Sequence, residues 1–368
     1  MKILVLSSHT LSLFWFRLDM MISFLNLGYE VIAAGSDNET LWKPKFDEQN
    51  IKYKQITVSR NGLNPLNDFK TFFSIKKLLK EERPDKIFVY QAKTIVYGAL
   101  AAHHLNIKDI YPLVAGLGSV FRGTGVKNRF FRYVMCKLYR RAFIYSRTVI
   151  FQNEDDLNTF VENEIVDINK TKIINGSGVN IEKFKPAPMP TSPTFLYIGR
   201  LIKDKGIIEY LDACRNIKFY NKKIKCLLIG PFDTNLSALK KEELQPYIDD
   251  ETIEYIGEQA DVRPYIESCS VFVLPSYHEG TPKTVLEAMA VGRAIITSDA
   301  PGCRETVINE KNGFLVTVKD VKQLTDKMKY LIENPDICDK MGRESRKIVC
   351  EKYDVNIVNQ SIHRIMGL

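Results

Sequence analysis

The sequence predicts an α/β protein made of two doubly wound, Rossmann-like parallel-sheet domains. Its 368 residues exceed one ordinary domain, so two domains of about 180 residues each are expected. Short apolar runs alternate with helical patterns, which is typical of parallel sheets covered by helices on both faces. A proline-rich segment at 186–193 interrupts this alternation. It therefore marks the expected boundary between the domains.

The apolar runs place the predicted strands in order. In the first half they lie at 2–8, 30–35, 86–91, 110–116, 148–153 and 172–178. In the second half they lie at 194–199, 225–230, 253–257, 271–276, 294–299 and 313–316. The predicted domains are 1–185 and 186–353, followed by a last helix at 354–368. Ligands of such sheets bind beyond the carboxyl ends of the strands, so the loops there are the candidate sites.

Composition and cysteine usage indicate a cytoplasmic protein. Hydrophobic residues make up 45% of the chain, and no run of 18 uncharged apolar residues predicts a transmembrane helix. Residues 1–8 are expected to form the first strand, because a signal peptide needs a longer apolar core. The seven cysteines show no C-x-x-C spacing. They are expected to be buried small apolar residues in a reducing compartment.

The positive charge belongs to the first half of the chain. The formal net charge is +8; residues 1–185 hold 27 Lys and Arg against 18 Asp and Glu, whereas the rest holds 25 against 26. This asymmetry indicates an anionic partner for the first domain.

One basic segment, 121–147, has no acidic residue and interleaves its cations with aromatic side chains. The cations are Arg122, Lys127, Arg129, Arg132, Lys137, Arg140, Arg141 and Arg147. Such a helix suits an anionic membrane surface, where each basic residue adds about 1 kcal/mol. Nucleic-acid binding is a rival interpretation, but no recognised nucleic-acid motif accompanies the segment. A solvated helix packed on its aromatic side also remains open.

The segment 275–290 indicates a phosphate site beside hydroxyl acceptors. Pro282 is predicted in the first turn of a helix, with Thr281 as its cap. Thr284 stands where a capping-box glutamate would close the helix mouth, so the free N–H groups favour an anion such as phosphate. Glu279 and Glu287 are acceptors for hydroxyl groups in the same neighbourhood. Together these features describe a nucleotide-sugar site.

The string E-G-x-P-x-x-x-L-E-A-M-A-x-G, at 279–292, resembles the signature of retaining family 4 glycosyltransferases. That resemblance implies the GT-B fold, with the two domains facing a cleft and the last helix crossing back to the first domain. It also implies that Glu287 holds the ribose hydroxyls and Glu279 a sugar hydroxyl near C3 or C4. The remaining donor contacts that it implies are at Gly199, Gly230, Glu258, Gly280, Thr281, Lys283 and Thr284.

A second motif, G-R-L-x-x-x-K-G at 199–206, matches the donor-diphosphate loop of the same family. Arg200 and Lys205 occupy its cationic positions, whereas Lys203 and Asp204 between them are expected at the surface. Arginine offers a planar fork and lysine a compact cation, which together replace a divalent metal at a leaving diphosphate. The predicted catalytic set is Glu279, Arg200 and Lys205, with a UDP-sugar as co-substrate and no metal or other cofactor. Two solvated loop cations are the alternative.

The resemblance implies retention of anomeric configuration without a protein nucleophile. Retaining glycosidases place two carboxyl groups close together, and nothing in the sequence identifies such a pair. A front-face reaction, in which the departing phosphate takes the proton of the acceptor, is the consistent mechanism.

The first loop carries S-H-x-x-x-x-x-x-F-R at 8–17, which is similar to bacterial transferases that extend undecaprenyl-diphosphate-linked sugars. The stretch 110–121, with its G-L-G-x-x-F, resembles the same subgroup. The acceptor residues predicted on this basis are His9, Phe16, Arg17, Gln91, Lys93, Gly116 and Gly118. Many family members have a histidine near position 115, but Ala115 stands here, so no catalytic histidine is assigned. A helix-capping loop with Phe14, Trp15 and Phe16 in the core remains the alternative for 7–17.

The leading function is transfer of a sugar, expected to be an N-acetylhexosamine, from a UDP-sugar to a polyprenyl-diphosphate-linked glycan. Capsule, O-antigen or glycoprotein glycan assembly at the cytoplasmic membrane face is the expected setting, with no nucleic-acid partner. A UDP-N-acetylglucosamine 2-epimerase shares the GT-B fold but does not normally carry the Glu-x7-Glu helix. A nicotinamide oxidoreductase would need G-x-G-x-x-G where this chain has S-S-H-T-L-S. A non-catalytic sugar-nucleotide binder is the remaining alternative.

Overall fold

The computed structural model describes residues 1–59, 64–117, 121, 125–234 and 237–368. The chain divides into two compact units. The first unit comprises Met1–Ser177 together with Val358–Leu368, and the second comprises Gly178–Ile357.

The first unit contains a seven-stranded parallel sheet in the order β3-β2-β1-β4-β5-β6-β7. Its strands are β1 Lys2–Leu6, β2 Glu30–Gly35, β3 Lys52–Gln55, β4 Lys86–Tyr90, β5 Asp109–Val114, β6 Val149–Phe151 and β7 Thr171–Ile173. Its helices are α1 Thr10–Asn26, α2 Glu39–Asp47, α3 Pro65–Glu82, α4 Ala92–His104, α5 Val126–Ile144 and α6 Glu154–Glu162.

The second unit contains a six-stranded parallel sheet in the order β10-β9-β8-β11-β12-β13. Its strands are β8 Thr194–Ile198, β9 Lys225–Ile229, β10 Glu254–Gly257, β11 Val271–Leu274, β12 Ala294–Ser298 and β13 Gly313–Val316. Its helices are α7 Ile207–Tyr220, α8 Lys241–Asp249, α9 Arg263–Ser268, α10 Lys283–Val291, α11 Val321–Glu333 and α12 Pro335–Ile348, after which a π-helical turn at Val349–Tyr353 leads to α13 Val355–Met366.

Both sheets are buried on both faces, as the apolar runs in the sequence predict. In the first unit, one face packs on residues of α3, α4 and α5 such as Ile75, Ala99 and Met135. The other face packs on α1 and on the last helix, through Phe24 and Ile362 among others. Two-sided burial leaves only the strand ends open to a ligand.

The predicted return of the last helix to the first unit is confirmed. Val358, Ile362 and Met366 are buried in the core of that unit. The carbonyl of Met366 accepts hydrogen bonds from Lys86 Nζ at 2.9 Å and from the Tyr111 hydroxyl at 3.2 Å. These bonds satisfy polar groups that burial would otherwise leave unpaired.

The twelve predicted strands are present, and the structure adds one that the sequence pattern misses. The extra strand, β3, has only four residues, Lys-Tyr-Lys-Gln, and lies at the sheet edge. Only Tyr53 in it is fully buried, so it lacks the apolar run that marks the central strands. All seven cysteines are free. In the described part of the chain, no helix is both long and apolar enough to cross a membrane.

Candidate active site

Five loops of the second unit meet at the carboxyl edge of its sheet, where β8, β9, β10, β11 and β12 end. Backbone contacts join neighbouring loops: the N–H of Gly230 donates to the carbonyl of Gly257 at 3.0 Å, and the N–H of Leu201 to that of Pro231 at 3.0 Å. The φ of Gly230 is +144°, and a Cβ built there would lie 1.9 Å from the carbonyl oxygen of Gly199. The close approach of these two loops therefore requires glycine.

Glu279 and Lys205 form an ion pair at this edge. Lys205 Nζ lies 2.6 Å from Glu279 Oε1, and both side chains are mostly buried. The structure thus brings together a cation predicted for the diphosphate and a carboxylate predicted for a sugar hydroxyl. A bound sugar would have its hydroxyl acceptor directly beside a diphosphate cation.

Arg200 has a carboxylate partner that the sequence analysis does not identify. Its guanidinium nitrogen lies 2.7 Å from Asp233 Oδ2, in the loop after β9. The arginine is 56% exposed and the aspartate 17% exposed. The guanidinium therefore retains open donors for a ligand, while Asp233 sets its direction.

The turn that carries Lys205 is fixed against the end of β11. The N–H of Tyr277 donates to the carbonyl of Asp204 at 3.0 Å, and the Tyr277 hydroxyl donates to Glu209 at 2.6 Å. Gly206, with φ +69°, approaches the carbonyl of Pro275 so closely that a Cβ would lie 2.0 Å from it. Burial, and then the hydrogen bond to Glu209, raise the pKa of Tyr277. Its neutral hydroxyl can therefore donate to Glu209 throughout the working pH range.

The loop that carries Glu279 is held by the loop after β12. The N–H of Glu279 donates to the carbonyl of Pro301 at 2.9 Å. Gly302 has φ +78°, and a Cβ there would lie 2.1 Å from the Glu279 carbonyl oxygen. The Pro301-Gly302 pair is a second contribution that the sequence analysis misses, because it lies outside both motifs.

The predicted capping of α10 is wrong by one residue. Pro282, not Thr281, is the N-cap, and α10 begins at Lys283. The ψ of Pro282 is 109°, which is extended and excludes it from the helix, and no side chain caps the mouth. Its carbonyl accepts from the N–H groups of Val285 and Leu286. The first N–H groups of α10 therefore have no acceptors within the helix itself.

Glu287 lies one turn inside α10 and is buried. The structure gives its carboxylate no hydrogen bond or ion pair with the described residues. Burial raises its pKa to about 7, against the opposing effect of the ammonium groups of Lys283 and Lys183. A buried carboxylate with unused acceptor capacity is suited to ligand hydroxyl groups.

The remaining predicted donor residues occupy the same edge. Gly280 is buried, and Thr281, Lys283 and Thr284 are half-buried. The Thr284 hydroxyl donates to the carbonyl of Ile198 at 3.3 Å, which ties α10 to β8. Glu258 is exposed in the loop after β10.

In the first unit, Gln91 organises the loop after β1. Its side-chain oxygen accepts from the N–H of Ser8 at 2.9 Å, from the Ser8 hydroxyl at 2.5 Å and from the Ser7 hydroxyl at 2.9 Å. Its own φ is +72°, and it directly precedes α4. His9 lies half-buried at the N-cap of α1, with no side-chain capping bond. Gln91 therefore fixes the loop after β1 through hydrogen bonds to Ser7 and Ser8, and His9 follows these two residues in the chain.

Two predicted acceptor cations, Arg17 and Lys93, are buried. Arg17 is 2% exposed, with its guanidinium carbon 5.3 Å from the Tyr90 ring centre, and burial lowers its pKa to about 10. Lys93 Nζ lies 2.9 Å from Asp68. Lys93 is thus paired inside the unit, whereas the Arg17 guanidinium packs on an aromatic ring and its Nε has no hydrogen-bond partner among the described residues.

The other acceptor-side residues differ in exposure. Phe16 is exposed and Phe14 packs on Phe46, so the alternative that placed all three aromatics of this loop in the core is wrong for Phe16 and for exposed Trp15. Gly116, with φ +127°, lies two residues after the end of β5. Gly118 lies outside the described residues.

The predicted basic segment forms α5. Tyr139 and Phe143 pack in the core, whereas Phe130 and Tyr133 are exposed. Arg122 lies outside the described residues, as does the side chain of Lys127.

The fold and this edge define a glycosyltransferase of the GT-B type. Residues 179–348 match the family model described as "Glycosyl transferases group 1", and residues 2–153 match the one described as "Glycosyl transferase 4-like". The chain belongs to this glycosyltransferase family.

Two relatives and one solved structure show how similar the chain is to individual proteins. The chain is 30% identical to the N,N'-diacetylbacillosaminyl-diphospho-undecaprenol alpha-1,3-N-acetylgalactosaminyltransferase of Campylobacter jejuni, over 98% of this chain and 96% of that protein. It is 25% identical to an Escherichia coli UDP-Gal:alpha-D-GlcNAc-diphosphoundecaprenol alpha-1,3-galactosyltransferase, over 81% of this chain and 79% of that one. Among solved structures, Anabaena HepE in complex with UDP and glucose superposes with a TM-score of 0.80 at 18% identity, covering 100% of this chain and 99% of that one. The similarity to HepE shows a shared fold only.

Proposed function

We propose that this protein is a retaining, metal-independent transferase that moves an N-acetylhexosamine from a UDP-sugar to a polyprenyl-diphosphate-linked glycan. One observation carries the proposal: Arg200, Lys205 and Glu279 lie in loops at the carboxyl edge of the second sheet, with Lys205 2.6 Å from Glu279, and Glu287 lies in the first turns of α10, which begins there. The names of the Campylobacter and Escherichia relatives support a lipid-diphosphate acceptor.

The donor roles follow from charge and burial. The ionised carboxylate of Glu287 accepts the ribose hydroxyls, which supply the hydrogen bonds that its buried oxygens lack. Arg200 and Lys205 bind the diphosphate, and Glu279 binds a hydroxyl of the transferred sugar. Lys205, which binds the diphosphate, contacts Glu279, which binds the sugar. This contact joins the binding sites of the leaving group and of the transferred sugar.

The reaction proceeds on one face of the sugar. The bond between the anomeric carbon and the diphosphate oxygen breaks, and the acceptor hydroxyl oxygen forms its bond to that carbon from the same side. The hydroxyl proton passes to the departing phosphate oxygen. Negative charge grows on the diphosphate as the bond breaks, and Arg200 and Lys205 stabilise it most in the transition state.

The first unit supplies the acceptor side. His9 is the acceptor-contacting residue, held by the Gln91 network. Arg17 packs against Tyr90, whose hydroxyl bonds to Ser12 in this network, and Lys93 ties α4 to α3 through Asp68. The cations of α5 attract the anionic membrane in which the acceptor lies, so the protein acts as a peripheral enzyme at the cytoplasmic face.

A transfer assay tests this function. Purified protein is incubated with UDP-N-acetylgalactosamine, UDP-N-acetylglucosamine, UDP-galactose or UDP-glucose and a synthetic undecaprenyl-diphosphate-linked saccharide, with and without EDTA. We expect one N-acetylhexosamine donor to give an α-linked product at equal rates in both conditions.

Proton NMR of the product establishes its anomeric configuration, and mass spectrometry tests for a sugar bound to Glu279. An inverted product, a glycosyl-enzyme on Glu279 or complete loss of transfer in EDTA would contradict the proposed mechanism. Formation of a 2-epimerised UDP-sugar without transfer would instead support the epimerase alternative.

A further inference from the structure

Helix α3 exposes an apolar stripe that no element of the first unit covers in the described part of the chain. Leu66, Phe69 and Phe73 are 74%, 64% and 57% exposed. Their spacing of three and four residues places them on one side of the helix. Large apolar groups grouped in this way on a surface indicate a binding face.

Cations continue the same stripe toward the end of the helix. Lys70, Lys77 and Lys80 are exposed at helical spacing from the aromatic residues. Of the acidic residues in α3, Asp68 and Glu82 are buried in ion pairs with lysines, and exposed Glu81 lies 3.9 Å from Lys77 Nζ. The outer face of α3 is therefore apolar in its first turns and basic beyond them.

Helix α5 repeats this arrangement. Phe130 and Tyr133 in its first turns are 63% and 61% exposed. Lys137 and Arg141 follow at helical spacing and are exposed. Two helices with the same order of aromatic and basic residues indicate one common target surface rather than two unrelated patches.

The aromatic ends of both helices lie toward the carboxyl edge of the sheet. The pair between Asp68 in α3 and Lys93 in α4, at 2.9 Å, places the starts of these two helices side by side. Stacking of His103 on Tyr145 at 3.6 Å places the ends of α4 and α5 together. Helix α5 has 19 residues and α4 has 13. Because the two helices end together, the start of α5 extends about 9 Å beyond the start of α4. The carboxyl edge also holds Gln91 and His9.

We propose that α3 and α5 together dock on an anionic phospholipid bilayer, with Leu66, Phe69 and Phe73 inserted among the lipid headgroups and the lysines of α3 against the phosphates. Helices α3 and α5 both pack against α4, and their charge complements that of the membrane. Docking orients the acceptor edge of the first unit toward the lipid surface. The inference rests on the proposed function for its membrane setting and adds α3 as the inserted element.

Vesicle co-sedimentation tests the docking face. Phe69→Ser/Phe73→Ser should reduce binding to phosphatidylglycerol-containing vesicles about tenfold or more, because two inserted rings are lost. The matched control is Phe219→Ser, which removes an 84% exposed ring from the second unit and should bind as the unchanged protein does. Lys137→Gln/Arg141→Gln should weaken binding more at low salt than at high salt.

A depth measurement complements the binding assay. In a Trp15→Phe/Trp42→Phe background, which removes the two native tryptophans, fluorescence of Phe69→Trp should shift to the blue with vesicles and be quenched by brominated lipids, whereas that of Phe219→Trp should not respond. Equal vesicle binding by the double serine variant and the unchanged protein, or an unresponsive Phe69→Trp, would overturn the inference.

Transfer assays separate this inference from the proposed function. The double serine variant should lose transfer to an acceptor in vesicles but keep transfer to a short-chain, water-soluble acceptor. Unchanged transfer to both acceptors would refute docking through α3 and leave the proposed function intact. Absence of transfer by the unchanged protein would contradict the proposed function. The vesicle-binding assay would still test docking through α3 in that case.

Discussion

The two units use the same type of parallel sheet but treat charged side chains at its carboxyl edge in opposite ways. In the second unit, Arg200 is 56% exposed, and both it and Lys205 pair with carboxylates at the open edge. In the first unit, Arg17 is buried against the Tyr90 ring, and Lys93 is buried in an ion pair with Asp68. In the proposed roles, the second unit therefore presents its cations to the donor, whereas the first unit keeps these two cations in its interior.

The backbone shows the same contrast. In the second unit, Gly206, Gly230 and Gly302 each let one loop approach a neighbouring backbone more closely than any side chain permits. In the first unit, the side-chain oxygen of Gln91 holds the loop after β1 by accepting hydrogen bonds from it. A loop fixed by backbone contacts leaves its side chains free for chemistry.

The largest expected effect is at the diphosphate cation. Lys205→Ala should lower kcat/KM about 10²- to 10³-fold, since it removes charge stabilisation that grows in the transition state. Lys203→Ala is the matched control, because Lys203 lies on the same turn but pairs with Glu243 at the surface; there we expect less than about a threefold change. Steady-state kinetics with the best donor decide, and equal losses in the two variants would contradict the role of Lys205.

The glycine contacts give the next effect. Gly230→Ala should destabilise the second unit by about 3 kcal/mol and weaken UDP binding, because the new methyl group would meet the Gly199 carbonyl. Gly257→Ala should cost only about 1 kcal/mol, since its φ is +82° but nothing lies within 4 Å of a Cβ. Urea unfolding and UDP titration measure both variants. Equal destabilisation would show that the close approach is unimportant.

Glu287 should link stability to pH. Its folded pKa, about 7, lies above the ordinary value of 4.5, so its contribution to stability is fully present at acid pH and is lost as pH rises toward 7. The loss is about 3 kcal/mol by pH 8. Glu287→Gln should therefore unfold at higher urea than the unchanged protein at pH 8, but not at pH 4.5, while binding UDP about tenfold more weakly.

Exposed Glu258→Gln is the control for that experiment and should show no such pH dependence. UDP binding to the unchanged protein should also tighten as pH rises through 7 and release protons. Calorimetry in buffers of different ionisation enthalpy measures this release. A flat pH profile would refute the assignment of Glu287 as a titrating ribose ligand.

The smallest effect is expected on the acceptor side. His9→Ala should raise the KM for the lipid-linked acceptor about tenfold and leave UDP affinity unchanged, because one polar contact to the acceptor is lost. A change in UDP affinity with unchanged acceptor KM would place His9 on the donor side instead.

The sequence predicts the strands well, since they depend on local patterns, and the donor residues remain predictions that rest on two local motifs. Apolar runs mark every strand except polar β3, and the two motifs carry the four proposed donor residues. The capping prediction for α10 fails by one residue, because a proline at the helix start fits either the cap or the first turn. Asp233 and Glu209 are missed because their partners, Arg200 and Tyr277, come from loops far apart in sequence.

The burial of Arg17 and Lys93 was not predictable in the same way. A lone arginine in a helix pattern indicates a surface charge, and only the fold places Tyr90 and Phe88 around it. Likewise, nothing in the sequence indicates that Asp68 and Lys93 form an ion pair. Ion pairs that form between elements depend on sheet order, which local patterns do not encode.

Titration calorimetry of UDP in the presence of EDTA directly tests the proposed metal-independent donor site. We expect one UDP to bind per chain with a Kd that EDTA does not change. Affinity should fall about tenfold or more in Lys205→Ala and in Glu287→Gln, but not in Lys203→Ala. Loss of binding in EDTA, or full affinity in both donor-site variants, would contradict a metal-independent donor site at this edge of the second unit.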